Sequence, residues 1–508
     1  MPSSEPPSSA ALTVWTLVER AGREHPDRVL LRDEHGRSVT ASELRDLAEQ
    51  VAAGLGLTAG QVVSWQLPSS LEAVVLMVAL ARVGAVQNPI IPILREQDVR
   101  HIVGAVAADV LVVPTTWRGF AHGEMARTIA ADLSCRVVEV ELEAPVGEQL
   151  RLPVSDSGTL PAPAESSTGT RWIYFTSGTT AAPKGVRHSD ATVIASSSGM
   201  TDGLGIGDGD VYPIAWPISH IGGVTMLISV LRAGGTLVLF EAFDPTTMGE
   251  RMAAFAPTIL GTGLPFFRAY LDAQARAGST PLFPSLRTFV AGGAPTPPEI
   301  VRELREAFSV DSVVNSYGLT EFPIAASPSP SDPADKLATT VGRPSAGVQV
   351  RVVDGELRLR GPQQLLGYVD PAMDAGALDE DGFFRTGDLG HVDDDGFITI
   401  TGRLKDVIIR NGENISALEV EDVLLRHPDV LDVTVIGLPD ARTGEQVCAV
   451  IVASPGSTVD LASIAAHCAT QGIARQKTPE RVVLVDAIER NAMGKVAKAD
   501  LRDRIVAH

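Results

Sequence analysis

Residues 174–186 read YFTSGTTAAPKGV, a run of Ser, Thr and Gly closed by Pro183 and Lys184. The apolar run Trp172 to Phe175 feeds straight into it, as a buried strand delivers a ligand loop at its carboxyl end. With little side-chain bulk and many hydroxyl and backbone donors, Thr176, Ser177, Gly178, Thr179 and Thr180 can wrap a polyphosphate, and Lys184 adds a mobile point charge. This is not a Walker A loop, which closes on Gly-Lys-Ser/Thr; here Gly178 is followed by Thr179, Thr180, Ala181, Ala182, Pro183 and only then Lys184. The same residue types also make surface linkers. The strand in front of them favours the phosphate reading.

Around this loop, from about Thr40 to Asn315, apolar runs of strand type alternate with longer periodic segments, the pattern of parallel sheets covered by helices. The expected strands are Val62 to Gln66, Val110 to Val113, Trp172 to Phe175, Thr236 to Phe240 and Arg287 to Ala291. Thr40 with Glu43, and Ser69 with Glu72, have capping-box spacing ahead of helical runs. The fold class is therefore α/β. After Glu321 two Asp-Gly pairs, at Asp354 and Asp395, separate alternating runs such as VQVRVV and FITI, which predicts an antiparallel β subdomain. From Gly402 a smaller α+β unit follows, with a helix over Ala417 to Leu425 and strands at Val430 to Gly437, Gln446 to Val452 and Val482 to Val485. The two domains are expected to span 1–402 and 403–508.

A chain of 508 residues is too long for one core. Its 44% hydrophobic and 20% charged residues suit a soluble enzyme. Met1 to Ala10 lacks the basic and apolar regions of a secretory signal, and the longest apolar stretch, near Leu71 to Val86, carries Glu72 and Arg82. Three cysteines, Cys135, Cys448 and Cys468, have no metal-ligand spacing and make no framework of bridges, which points to a reducing cytoplasm. The net charge of −20 repels nucleic acid and anionic membranes, so a polyanionic ligand must find local donors.

Four further segments complete the pattern: SYGLTE at 316–321, RTGDLG at 385–390, GRLKDVIIRNGENI at 402–415 and NAMGK at 491–495. Together with the loop at 176–185, and in this order, they resemble the adenylate-forming superfamily of acyl-CoA synthetases, adenylation domains and luciferases, most nearly the carboxylic acid–CoA ligases. The resemblance implies a large N-terminal domain of doubly wound sheets plus a β subdomain, and a small, mobile α+β C-terminal domain hinged near Lys405. It also implies ATP, Mg²⁺ and coenzyme A. A carboxylate is a poor electrophile, and conversion to a mixed anhydride with AMP gives it a leaving group.

On this resemblance, Tyr317 and Thr320 contact the nucleotide and Glu321 helps hold Mg²⁺. Asp388 accepts from the ribose hydroxyls, Arg403 helps bind ribose or phosphate, and Gly293, Ala294 and Pro295 line the adenine site. Lys495 reaches the carboxylate and the AMP oxygens during adenylation, where a cation offsets the meeting of two anions. The segment from Lys405 through Gly412 then swings in to meet the thiol, and His220, in WPISHIGG, borders the acyl pocket. Taken singly, each has a plainer reading: Tyr317 a core aromatic, Glu321 and Arg403 solvated charges, Asp388 a turn acid, Gly293 to Pro295 a strand-to-helix turn, His220 a satisfied core histidine, Gly412 a hairpin glycine, Lys495 a helix-end charge.

The phosphate loop departs from the family's TSGTTGxPKG, because Ala181 stands where the second glycine is usual. If that position needs positive φ, a Cβ costs about 1–2 kcal/mol. This leaves open a chain that only transfers a preformed acyl-adenylate to CoA, and a non-catalytic acyl-adenylate binder. A loader of a carrier protein shares the same residues. Gly222, Gly223, Gly261, Gly263 and Gly292 suggest room for a bulky apolar acid, cyclic acids among them. No Asp lies in Pro217 to Val224 to grip an ammonium, which disfavours amino acids. A homodimer is possible on this reading, without nucleic acid or membrane-spanning segment.

Overall fold

The computed structural model describes residues 12–142, 150–157, 160–163, 166–176, 183–293, 296–490 and 495–506. Its largest sheet has seven strands in the order Gly367–Tyr368, Lys184–His188, Trp172–Thr176, Val86–Pro89, Val62–Trp65, Val110–Pro114 and Arg136–Val140. The last five run parallel, while Lys184–His188 pairs antiparallel with its neighbours on both sides. A second sheet orders Ser38–Thr40, Val29–Asp33, Thr236–Leu239 and Val211–Ile214. Parallel strands Ile259–Gly261, Thr288–Gly292 and Ser312–Ser316 form a third.

The helix Leu71–Val83 buries twelve of its thirteen residues, including Glu72 and Arg82. A helix apolar on every side must be covered on every side, so it sits inside the main core, with the helix Ile221–Ala233 buried almost as completely. Its two charges are paired: Arg37 bonds Glu72 at 2.8 Å and Arg82 bonds Glu49 at 3.0 Å. Among the described residues no helix is long and apolar enough to cross a membrane.

The capping box at Thr40 and Glu43 forms as expected. That at Ser69 and Glu72 does not. Ser70 caps the helix, while Ser69 Oγ donates to the Trp216 carbonyl and accepts from the Ile218 amide, and Glu72 is held by Arg37. Tertiary partners outcompete the local motif there. The five expected strands form within one or two residues of their expected ends. Arg287 stays outside its strand, its guanidinium engaged with Asp210 at 2.8 Å.

The β subdomain is the antiparallel sheet Gln349–Val353, Glu356–Arg360, Phe384–Val392 and Ile398–Arg403. Asp354 and Gly355 both take positive φ, giving the two-residue turn that the Asp-Gly pair predicts. After a short 3₁₀ turn, Leu404–Asp406, the chain enters a separate sheet built on the long hairpin Val430–Asp440 and Gly444–Ala453. The helices Ala417–Leu424 and Leu461–Thr470 complete its own core.

Candidate active site

Strand Trp172–Thr176 ends at Thr176, opposite Lys184 at the start of the returning strand. Ser177, Gly178, Thr179, Thr180 and Ala181, like Ala294, Pro295 and residues 491–494, lie outside the described residues. The two strands nevertheless fix where the loop leaves and returns. Lys184 Nζ stands 6.0 Å from the ring centre of Tyr368.

Tyr317 follows strand Ser312–Ser316 and donates its hydroxyl to Asp388 Oδ2 at 2.7 Å. Arg403 Nε donates to Asp388 Oδ1 at 2.6 Å, and Asp388 and Arg403 face each other across adjacent strands. Residues from two other segments thus close on one carboxylate that is 2% exposed. Burial, then the Asp388 charge, pushes the Tyr317 phenol up, so it remains a donor. Each Asp388 oxygen keeps a further lone pair for a ligand hydroxyl.

Thr320 and Glu321 are clamped from both ends. His188 Nε2 donates to the Thr320 carbonyl at 2.8 Å, and burial pulls the imidazole down to about 4, so it is neutral. The Tyr368 hydroxyl donates to Glu321 Oε1 at 3.1 Å, and the Leu365 amide to the Glu321 carbonyl at 2.9 Å. His188 and Tyr368 were absent from the sequence reading. A period of two from Lys184 places His188 on the same face of its strand, a usable signal. Tyr368 is 184 positions from Lys184 with no local cue, and only strand pairing brings it there.

Lys495 joins this group. Burial pulls its ammonium down to about 8; Arg403 and Lys405 act in the same direction, while Asp388 and Glu321 oppose them. A Cβ on Gly293, whose φ is +81°, would lie 3.7 Å from Lys495 Cε, so the lysine reaches the segment expected to line the adenine site. His220 also feels this lysine: burial first, and the Lys495 cation second, bring its imidazole down to about 3. His220 caps the helix Ile221–Ala233, its Nδ1 accepting from the Gly222 amide at 3.2 Å. A neutral ring that accepts at Nδ1 carries its proton on Nε2. Burial, then Arg403, likewise lowers Lys405.

Gly412 does not join the group. It forms a hairpin turn with Asn411, both at positive φ, and a Cβ there would meet open space. The pocket glycines divide. A Cβ on Gly223 would collide with the Ile218 carbonyl, and one on Gly261 would stand 2.6 Å from the Tyr212 hydroxyl, so both serve close packing. Gly292 and Gly263 face open space, with only the Ser316 carbonyl at 3.8 Å from the former.

The donors fit a hard cation held jointly with phosphates. Glu321 offers one carboxylate, oriented by Tyr368, and no group of three or more metal-binding side chains occurs among the described residues.

A buried carboxylate held by Tyr317 and Arg403, Lys184 at the start of its strand and Lys495 from the C-terminal unit form a group whose chemistry suits a nucleotide and an acid. The chain belongs to the AMP-binding enzyme family: that family's model matches residues 18–369, and its C-terminal domain model residues 419–495. It stands close to the acid–CoA ligases of the adenylate-forming superfamily. It is 34% identical over 504 residues to the (methyl-dioxo-octahydroindenyl)propanoyl:CoA ligase of Mycobacterium tuberculosis, covering 97% of this chain and 98% of that one. It is 30% identical over 511 residues to the medium-chain fatty-acid–CoA ligase of Escherichia coli, covering 96% and 89%. The ATP-bound MatB of Rhodopseudomonas palustris superposes with a TM-score of 0.85 at 28% identity, over 97% of this chain and 99% of that one.

Proposed function

We propose that this protein converts a bulky apolar carboxylic acid into its CoA thioester through an acyl-AMP intermediate. The observation that carries the reading is the meeting of Tyr317, Asp388 and Arg403 with Lys495, which supports a carboxylate suited to accept from ribose hydroxyls acting beside a cation suited to bind a carboxylate. In the first step a carboxylate oxygen attacks the α-phosphorus of ATP and the bond to pyrophosphate breaks. Lys495 offsets the charge of the two approaching anions, and the loop ending at Lys184 holds the departing phosphates. Mg²⁺, held by Glu321, would neutralise phosphate charge. In the second step the thiol sulfur attacks the acyl carbon, the bond to AMP breaks and the thiol proton is lost.

For that step the C-terminal unit turns about Lys405, with the two domains dividing at 402/403. Lys495 withdraws and the exposed Gly412 turn replaces it. The acid reading rests on the open flank of Gly292, on the neutral His220 near Lys495 and on the bicyclic acid named for the 34% identical relative. The test is pyrophosphate release and CoA thioester formation against a panel of straight-chain, aromatic and fused-ring acids. Turnover only with short polar acids refutes the pocket assignment. Ala181 supports a second reading, transfer from preformed acyl-AMP alone; normal acid-dependent pyrophosphate release would end it. If Ala181 is at fault, Ala181→Gly raises adenylation more than thioester formation.

A further inference from the structure

One charged contact couples the C-terminal unit to the nucleotide domain at a revealing place. Helix Pro298–Phe308 opens just after Gly293, the glycine that Lys495 reaches, and carries Glu299 in its first turn. Arg426, just beyond helix Ala417–Leu424, places Nε 3.3 Å from Glu299 Oε1, while Glu299 Oε2 is buried without a hydrogen-bond partner. We propose that Arg426 and Glu299 form a latch between the two units, selecting the arrangement in which Lys495 faces the nucleotide site. Arg426 is a positioning residue, acting on the reaction only through the placement of Lys495.

The test uses the full chain with nitroxide labels on Arg302→Cys and Arg475→Cys, one exposed site on each unit, the native cysteines being buried. Pulsed electron resonance measures the distance between them. One distance should dominate in the native protein. Arg426→Ala and, independently, Glu299→Gln should make a second distance grow several-fold. Distributions in the Arg426 and Glu299 variants identical to the native protein's overturn the latch. The inference rests on the swing in the proposed function. A single native distance under every condition, with ATP or CoA added, would refute the swing itself, while two populations indifferent to the substitutions refute the latch alone.

Discussion

In the proposed adenylation Lys495 meets two anions as a cation, so raising the pH should switch that step off near pH 8. An ordinary lysine titrates near 10.4 and would leave the rate flat through neutrality. Here burial and the Arg403 cation bring Lys495 from 10.5 to about 8. That displacement corresponds to about 3 kcal/mol of penalty on the charged form. The protonated fraction falls from about nine-tenths at pH 7 to about one-tenth at pH 9, so kcat/KM for pyrophosphate release should drop nearly tenfold over that interval. The sign is fixed by the group: activity is present below the lysine's value and lost above it. Thioester formation from synthetic acyl-AMP provides the contrast, since thiolate formation makes it rise over the same range. Arg403→Met removes the neighbouring cation and should move the falling limb to higher pH. Adenylation flat to pH 10, or the same limb in Lys495→Ala, would refute the reasoning.

Tyr368→Phe removes one hydrogen bond to Glu321, about 1 kcal/mol, and should raise the Mg²⁺ needed for half-maximal pyrophosphate release about fivefold; an unchanged Mg²⁺ titration disproves the clamp. Asp388→Ala strands the buried Tyr317 hydroxyl and should cost about 2 kcal/mol of stability, together with binding of an ATP analogue, seen by denaturant unfolding and calorimetry. Gly223→Ala should destabilise by at least about 3 kcal/mol because its methyl meets the Ile218 carbonyl, whereas Gly292→Ala should melt normally and narrow the range of accepted acids. Equal melting temperatures for those two variants would show that the glycines do not divide as described.

Much of this was legible in the sequence because the signals are local. Strand Trp172–Thr176, the Asp354-Gly355 turn and the helix at Ala417 follow from periodicity and turn chemistry within a dozen residues. The motifs around Tyr317, Asp388, Arg403 and Lys495 named residues that the fold brings together. What escaped was the set of long-range pairings that gives those residues their state. Tyr368 beneath Lys184, His188 on the Thr320 carbonyl, and Ser69 drawn from its cap to the backbone around Trp216 depend on which strands lie side by side. Sequence also could not sort the glycines, because a residue without a side chain looks the same whether it makes room for a ligand or for its own backbone.

Arg403 is the last residue of its strand, and its guanidinium holds the carboxylate expected to grip the sugar. In the proposed rotation the swivel therefore lies almost on the nucleotide itself. A lever pinned at its fulcrum moves least where it is pinned, so the acyl-adenylate stays docked while the chemistry around it is exchanged, and a labile anhydride need never be released to water between the two steps.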